Sequence, residues 1–174
     1  MISVLARVLL CTLALSAAAC VAEAQPDEGR KPALELTGRV VDAGQILTPE
    51  FEQKLTRTLK RLEAETKVQL VVVTTPDLSG VDIATYSLNL ARDWEIGSEE
   101  RDDGVLLLVA PNERQVRIEV GYGLEASVKD EEAAEIIAVQ MVPRFGQKDY
   151  QGGIEAGVDA LIDEVTPSEL KEAA

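Results

Sequence analysis

Two short apolar runs constrain this chain more than any other feature. Residues 68–75 (VQLVVVTT) and 105–110 (VLLLVA) are almost continuously apolar. A strand with one wet face alternates; one that is apolar at successive positions must be covered on both faces. Each run therefore predicts a central strand with helices above and below. Between them, residues 82–94 place Ile83, Tyr86, Leu90 and Trp94 roughly on one side of a helix. Strand, helix and strand in that order predict a right-handed crossover that sets the two buried strands parallel.

The flanking elements fit the same plan. Residues 38–41 form a short β-like run. Thr48-Pro49 opens a helix with an N-cap hydroxyl, proline at the first helical position, and Glu50 and Glu52 in the first turn. Phe51, Leu55, Leu59 and Leu62 follow at helical spacing. After the second buried strand, Pro111-Asn112-Glu113 turns the chain into 115–120. There Val116, Ile118 and Val120 point one way, and Arg117 and Glu119 the other. The pair predicts a hairpin with one half-exposed strand. Asp130 is expected to cap a third helix, running through Ile136, Ile137 and Met141 and stopped by Pro143. A fourth carries Ile154, Val158, Leu161 and Val165. The expected fold class is α/β: a small mixed sheet sandwiched between helices, Rossmann-like in its layers, with one antiparallel hairpin strand.

The N-terminus reads as an export signal. Arg7 precedes an uncharged run, residues 8–19 (VLLCTLALSAAA), too short for a hydrocarbon core that needs about 20 apolar residues. Cleavage after Ala22-Glu23-Ala24 would leave residues 25–37 as a linker, 38–165 as the domain and 166–174 as a short charged tail. The expected location is periplasmic or secreted. The alternative is a lipoprotein held through Cys20, since Ala17-Ala18-Ala19-Cys20 partly matches a lipobox. Cleavage at Ala24 removes both Cys11 and Cys20, and with them disulfides and thiolate sites.

Charge and missing residue types narrow the chemistry. The chain carries 17 basic and 31 acidic residues, a formal charge of −14 that repels nucleic acid and gathers cations. It has no histidine, which removes the usual general base, the Ser-His-Asp triad and imidazole metal ligands. Any metal site must be built from oxygen, which suits Ca²⁺ or Mg²⁺. The hairpin brings Asp102-Asp103-Gly104, at the start of one strand, beside Gly121-Tyr122-Gly123 at the end of the next. Glu125 and Asp130 follow closely. These carboxylates on a glycine-rich turn are either a hard-cation site or a solvated acidic loop. Gly121 to Ala126 fits G-x-G-x-x-A, but it ends a hairpin arm and stands among carboxylates, so a dinucleotide site is not expected. It reads instead as a turn using glycine for positive φ.

Taken together, Asp102 to Ala110 (DDGVLLLVA) and Arg117 to Glu125 (RIEVGYGLE) resemble the signature of TPM domains. Val40-Val41-Asp42 upstream, and Pro143-Arg144-Phe145, Asp149-Tyr150 and Gly153-Ile154 downstream, are similar to its flanking elements. The resemblance covers roughly residues 38 to 165. It implies a small sheet flanked by helices, an exported or membrane-associated location, and divalent-cation binding by acidic loop residues, Ca²⁺ foremost. Family members have been linked to photosystem II repair, receptor association and a proposed acid phosphatase activity. By position the resemblance assigns metal binding to Asp102, then to Asp103, where relatives often carry Asn, and to Asp130 and Asp42. The last two are also simple cap positions. Many bacterial relatives continue into a transmembrane helix and a Gly-rich tail. Nine mostly polar residues follow Val165 here, so no C-terminal tether is expected. Three readings follow: a cation-binding module that stabilises or recruits an envelope partner, a metal-dependent phosphatase, or a structural domain with no metal.

Overall fold

The computed structural model describes residues 34–168. The export signal, Cys11, Cys20, residues 25–33 of the linker and 169–174 of the tail lie outside the described residues. Four strands form one sheet in the order β1 (Val40–Asp42), β2 (Gln69–Thr74), β3 (Gly104–Ala110) and β4 (Gln115–Val120). β1 and β2 run parallel to each other, as do β2 and β3; β4 is antiparallel to β3. The mixed sheet and hairpin are those expected from the alternation.

β3 is buried along its whole length, and β2 from Leu70 onward. Their side chains therefore feed two separate cores. Leu70, Val72, Val105, Leu107 and Val109 meet helix α1 (Pro49–Thr66), helix α5 (Tyr150–Val165) and the segment leading to it. Val71, Val73, Leu106, Leu108 and Ala110 meet Tyr86, Leu90 and Trp94 of helix α2 (Ile83–Asp93). Each fully buried leucine or valine contributes about 1.5–3 kcal/mol relative to exposure.

Local chemistry sets the helix ends. The Thr48 hydroxyl accepts from the Phe51 N–H (3.3 Å), and α1 stops where Lys67 turns left-handed at φ 68° and donates its N–H to the Glu63 carbonyl. Asp82 caps α2 by accepting from the Thr85 N–H (2.9 Å).

Two expectations are corrected. Asp130 does not cap the third helix; it is the first residue of α3 (Asp130–Glu135), and the cap position is Lys129, whose N–H donates to the Glu132 carboxylate (2.5 Å). Nor does Pro143 stop the helix. α3 widens into a π-helical segment, Ile136–Met141, and continues as α4 (Val142–Gly146). The Val142 N–H bonds to the Ile137 carbonyl, five residues back. Proline breaks an α-helix interior by lacking an N–H and by crowding the carbonyl four residues earlier; here Pro143 lies in the first turn of α4, directly after the wider turn, where proline is tolerated. Gly153 and Gly157 of α5 let this segment approach, since a Cβ at Gly157 would lie 2.7 Å from the Met141 Sδ.

Candidate functional site

The loop from Gly97 to Gly104 is tied to itself before it is tied to anything else. Asp103 is buried, accepting from the Ser98 N–H at Oδ1 (2.8 Å) and from the Arg101 Nε–H at Oδ2 (2.5 Å). Burial alone would push the Asp103 carboxyl up. The Ser98 N–H and the Arg101 guanidinium outweigh it and hold the group below its ordinary 3.8. The charged form is thus favoured by folding: its contribution is complete above pH 3.8 and disappears as pH falls toward the lower folded value. Asp103→Asn should cost about 1–2 kcal/mol at neutral pH. In parallel melts on acidification, the gap between variant and wild type should close below that pH; a constant gap would refute the assignment.

Asp102 sits beside it with opposite exposure. Its backbone is left-handed at φ 48°, its N–H donates to the Ser98 carbonyl (2.8 Å), and its side chain is exposed. The glycines of the facing turn then close on it. The Gly123 N–H donates to the Asp102 carbonyl (3.1 Å), and Gly121 N–H to the Gly104 carbonyl (2.8 Å). Neither glycine has positive φ, contrary to the sequence-based expectation. What excludes a side chain is proximity: a Cβ at Gly121 would collide with the Asp102 carbonyl, and one at Gly123 with that of Arg101.

This junction forms one end of a cleft of about 730 Å³ between α2, β4 and the turn that follows. Asp102, Glu125 and Asp130 line it, with Glu95 and Glu99 on the α2 side, Tyr122 at the rim, and Arg92 and Arg117 on its walls. Tyr122 is 78 % exposed. Glu119 is pinned in the cleft: its Oε2 accepts from the buried Ser87 hydroxyl (3.0 Å) and from the Arg117 Nε–H (3.1 Å).

The four carboxylates assigned by resemblance do not share one place. Asp102 and Asp130 line the cleft; Asp103 lies beneath its loop. Asp42 lies at the opposite end of the sheet, level with Thr74, whereas the Asp102 loop enters level with Gln69. Five residues of strand separate the two levels, roughly 16 Å. The Asp42 carboxylate accepts from the Ile46 (3.2 Å) and Leu47 (2.9 Å) N–H groups and the Thr74 hydroxyl, which closes the turn into α1. Glu95, Arg92 and the pinned Glu119 are the cleft residues that sequence reasoning missed. The alternation in β4 was the available signal, because it sets Arg117 and Glu119 on the face away from Ile118.

Chemically, an oxygen-only donor set suits a hard cation. Among the described residues, however, no three acidic side chains come close enough together to hold a metal ion. Asp102, Glu125 and Asp130 therefore make no three-carboxylate site; a cation held here would take no more than two of them, with backbone carbonyls and water filling the rest of its shell.

A mixed four-stranded sheet covered by helices on both faces, with an acidic cleft where the hairpin begins and ends, defines an α/β domain. Residues 40–164 match the TPM domain family, and the chain belongs to it. It is 26% identical over 136 residues to the Mycobacterium tuberculosis proteins UPF0603 protein Rv2345 and UPF0603 protein MT2410. That match takes in 78% of this chain and only 20% of theirs, so the chain spans about a fifth of the curated relatives it matches. Among solved structures, it is 32% identical to the N-terminal domain of a P. gingivalis protein, with a TM-score of 0.70, covering 74% of this chain and 82% of that one. The BA42 protein of Bizionia argentinensis shares the fold at 18% identity and a TM-score of 0.60, covering 68% and 81%.

Proposed function

We propose that this chain is an exported TPM domain whose cleft takes a divalent cation, Ca²⁺ or Mg²⁺, and which stabilises or recruits an envelope protein partner. The observation that carries this reading is that Asp102, Glu125 and Asp130 all line one cleft in a chain of net charge −14. No helix among the described residues is long and apolar enough to cross a membrane, so the described part would meet its partner from the aqueous side.

The sparse carboxylate set favours weak binding, with a Kd on the order of 10⁻⁴–10⁻³ M as in extracellular Ca²⁺ modules. At a hundredfold excess over Kd, linkage gives about 2.7 kcal/mol of added stability. Calorimetry and thermal melting should show a saturable site lost in Asp102→Asn with Asp130→Asn. Asp42→Asn, at the far end of the sheet, should melt lower yet keep the full cation-dependent shift. If all three proteins respond alike, the cleft is not the site; if none responds, the carboxylates are surface and the domain is structural.

A second reading, a metal-dependent phosphatase, is favoured by Arg92 and Arg117 standing in the same cleft as the carboxylates. Guanidinium groups suit phosphate oxygens, and a bound cation would polarise the phosphoryl group. Release of phosphate from an aryl phosphomonoester, lost on chelation and in Arg92→Ala, would support it.

A further inference from the structure

β4 is an edge of the sheet, and its unpaired side follows from the register. The Gly121 N–H bonds to the Gly104 carbonyl, so this facing pair exchanges hydrogen bonds with β3. In an antiparallel ladder such pairs alternate with pairs that do not. Glu119, Arg117 and Gln115, facing Leu106, Leu108 and Ala110, therefore turn their backbone groups toward β3. Val116, Ile118 and Val120 turn theirs outward, and no loop or cap of the described residues pairs with them. An unpaired edge is a template for another strand; here its middle residue, Ile118, is 4 % exposed and Val116 and Val120 are half-buried.

What that strand would be is written in β4 itself. Val116-Arg117-Ile118-Glu119-Val120 is self-complementary when laid antiparallel on a second copy about Ile118. Val116 then faces Val120, Ile118 faces Ile118, and Arg117 faces Glu119, in both directions. The outward groups of Val116, Ile118 and Val120 become the hydrogen-bonded pairs. The Arg117–Glu119 positions become the non-bonded pairs, whose Cα atoms approach to about 4.5 Å. Both charged side chains lie on the α2 side of the sheet, because Ser87 of α2 donates to Glu119. Within one chain Arg117 already contacts Glu119 (3.1 Å). The twofold arrangement would extend this pair into an alternating ring of four charges.

We propose that β4 is a homodimer interface, through which a second copy of this chain continues the sheet and brings the partner's Arg117 and the partner's Glu119 to the wall of the cleft. Opposite charges directly across two strands stabilise, and like charges destabilise, so the pairing specifies its own register. Any other antiparallel offset of two residues breaks either the charge matching or the valine matching.

The test is sedimentation equilibrium of the purified chain in about 0.15 M salt, where the Debye length near 8 Å damps the general repulsion between acidic copies. Wild type should show a concentration-dependent monomer–dimer equilibrium. Arg117→Glu and Glu119→Arg, each alone, place like charges opposite each other and should raise the dissociation constant at least about tenfold. The double exchange of both residues should restore dimers, and mixing the two single variants should give a mixed dimer. A wild type that stays monomeric up to about 1 mM (a weak-affinity bound), or a dimer indifferent to the single reversals, would overturn the proposal. So would reversals that neither the exchange nor mixing rescues. Because Glu119→Arg also removes the Ser87 contact, circular dichroism must confirm its fold. Amide exchange of the wild type reads the same interface without substitution: protection at Val116, Ile118 and Val120 should rise with protein concentration, and its constancy would refute the pairing.

Discussion

Leu107→Ala and Leu108→Ala should each lower the stability of the domain by about 2–5 kcal/mol, the range for emptying a fully buried leucine site. Both residues have 0 % exposure. They are neighbours in sequence, yet Leu107 packs with α1 and α5, and Leu108 with α2. Because the cavities would open in different cores on opposite sides of the sheet, the double variant should cost nearly the sum, less whatever the shared strand backbone couples. That sum is comparable with the whole stability of a typical domain, about 5–15 kcal/mol. Denaturant unfolding of the singles and the double measures it. A double cost well below the sum would mean that the two cores relax as one.

Gly123→Ala should cost about 1–3 kcal/mol, as overpacking does, although it adds a single methyl group. The new Cβ would collide with the Arg101 carbonyl and stand 3.2 Å from that of Asp102. Both are backbone oxygens with no rotamer to change. Either the loop or the turn must move, and the Gly123 N–H to Asp102 carbonyl bond (3.1 Å) is stretched as it does. Under the proposed function, in which Asp102 helps to hold a cation, the cation-dependent melting shift should shrink along with the stability. Gly38→Ala is the matched control: nothing lies within 4 Å of its Cβ position, and its effect should stay within about 0.5 kcal/mol. Equal effects at the two glycines would remove the close-approach argument.

The sheet was legible because its evidence is local and repetitive. Unbroken apolar runs at β2 and β3, and strict alternation at β4, each admit one placement. The helix start at Thr48 was legible for the same reason, a short polar side chain ahead of an amphipathic stretch. The π-helical segment was not. Its residues have ordinary helical spacing, and Pro143 is a stop signal unless the wider turn before it is known. The cleft was half legible: hairpin logic brings Asp102 to Gly121 without any coordinates. That α2 lies over β4, so that Ser87 pins Glu119 and Arg92 enters the wall, is a matter of packing angle, and no spacing in the sequence carries it. Asp42 was legible as a family position, but its place was not: the Ile46 and Leu47 amides engage it at the other end of the sheet, which no spacing in the sequence gives.

Trp94 gives this architecture an optical reporter. It is the single tryptophan of the chain, packed at the end of α2 with 8 % exposure, and its indole N–H donates to the Leu34 carbonyl (3.0 Å). One neighbour in sequence, Glu95, lines the cleft, and the next, Ile96, both lines it and packs on the same core. Emission from one indole, with no other tryptophan to dilute it, therefore follows the helix-to-loop corner where the cleft meets the protein interior. Loosening of the α2 layer, or loss of the bond to the Leu34 carbonyl, registers in a single fluorescence signal with no label attached.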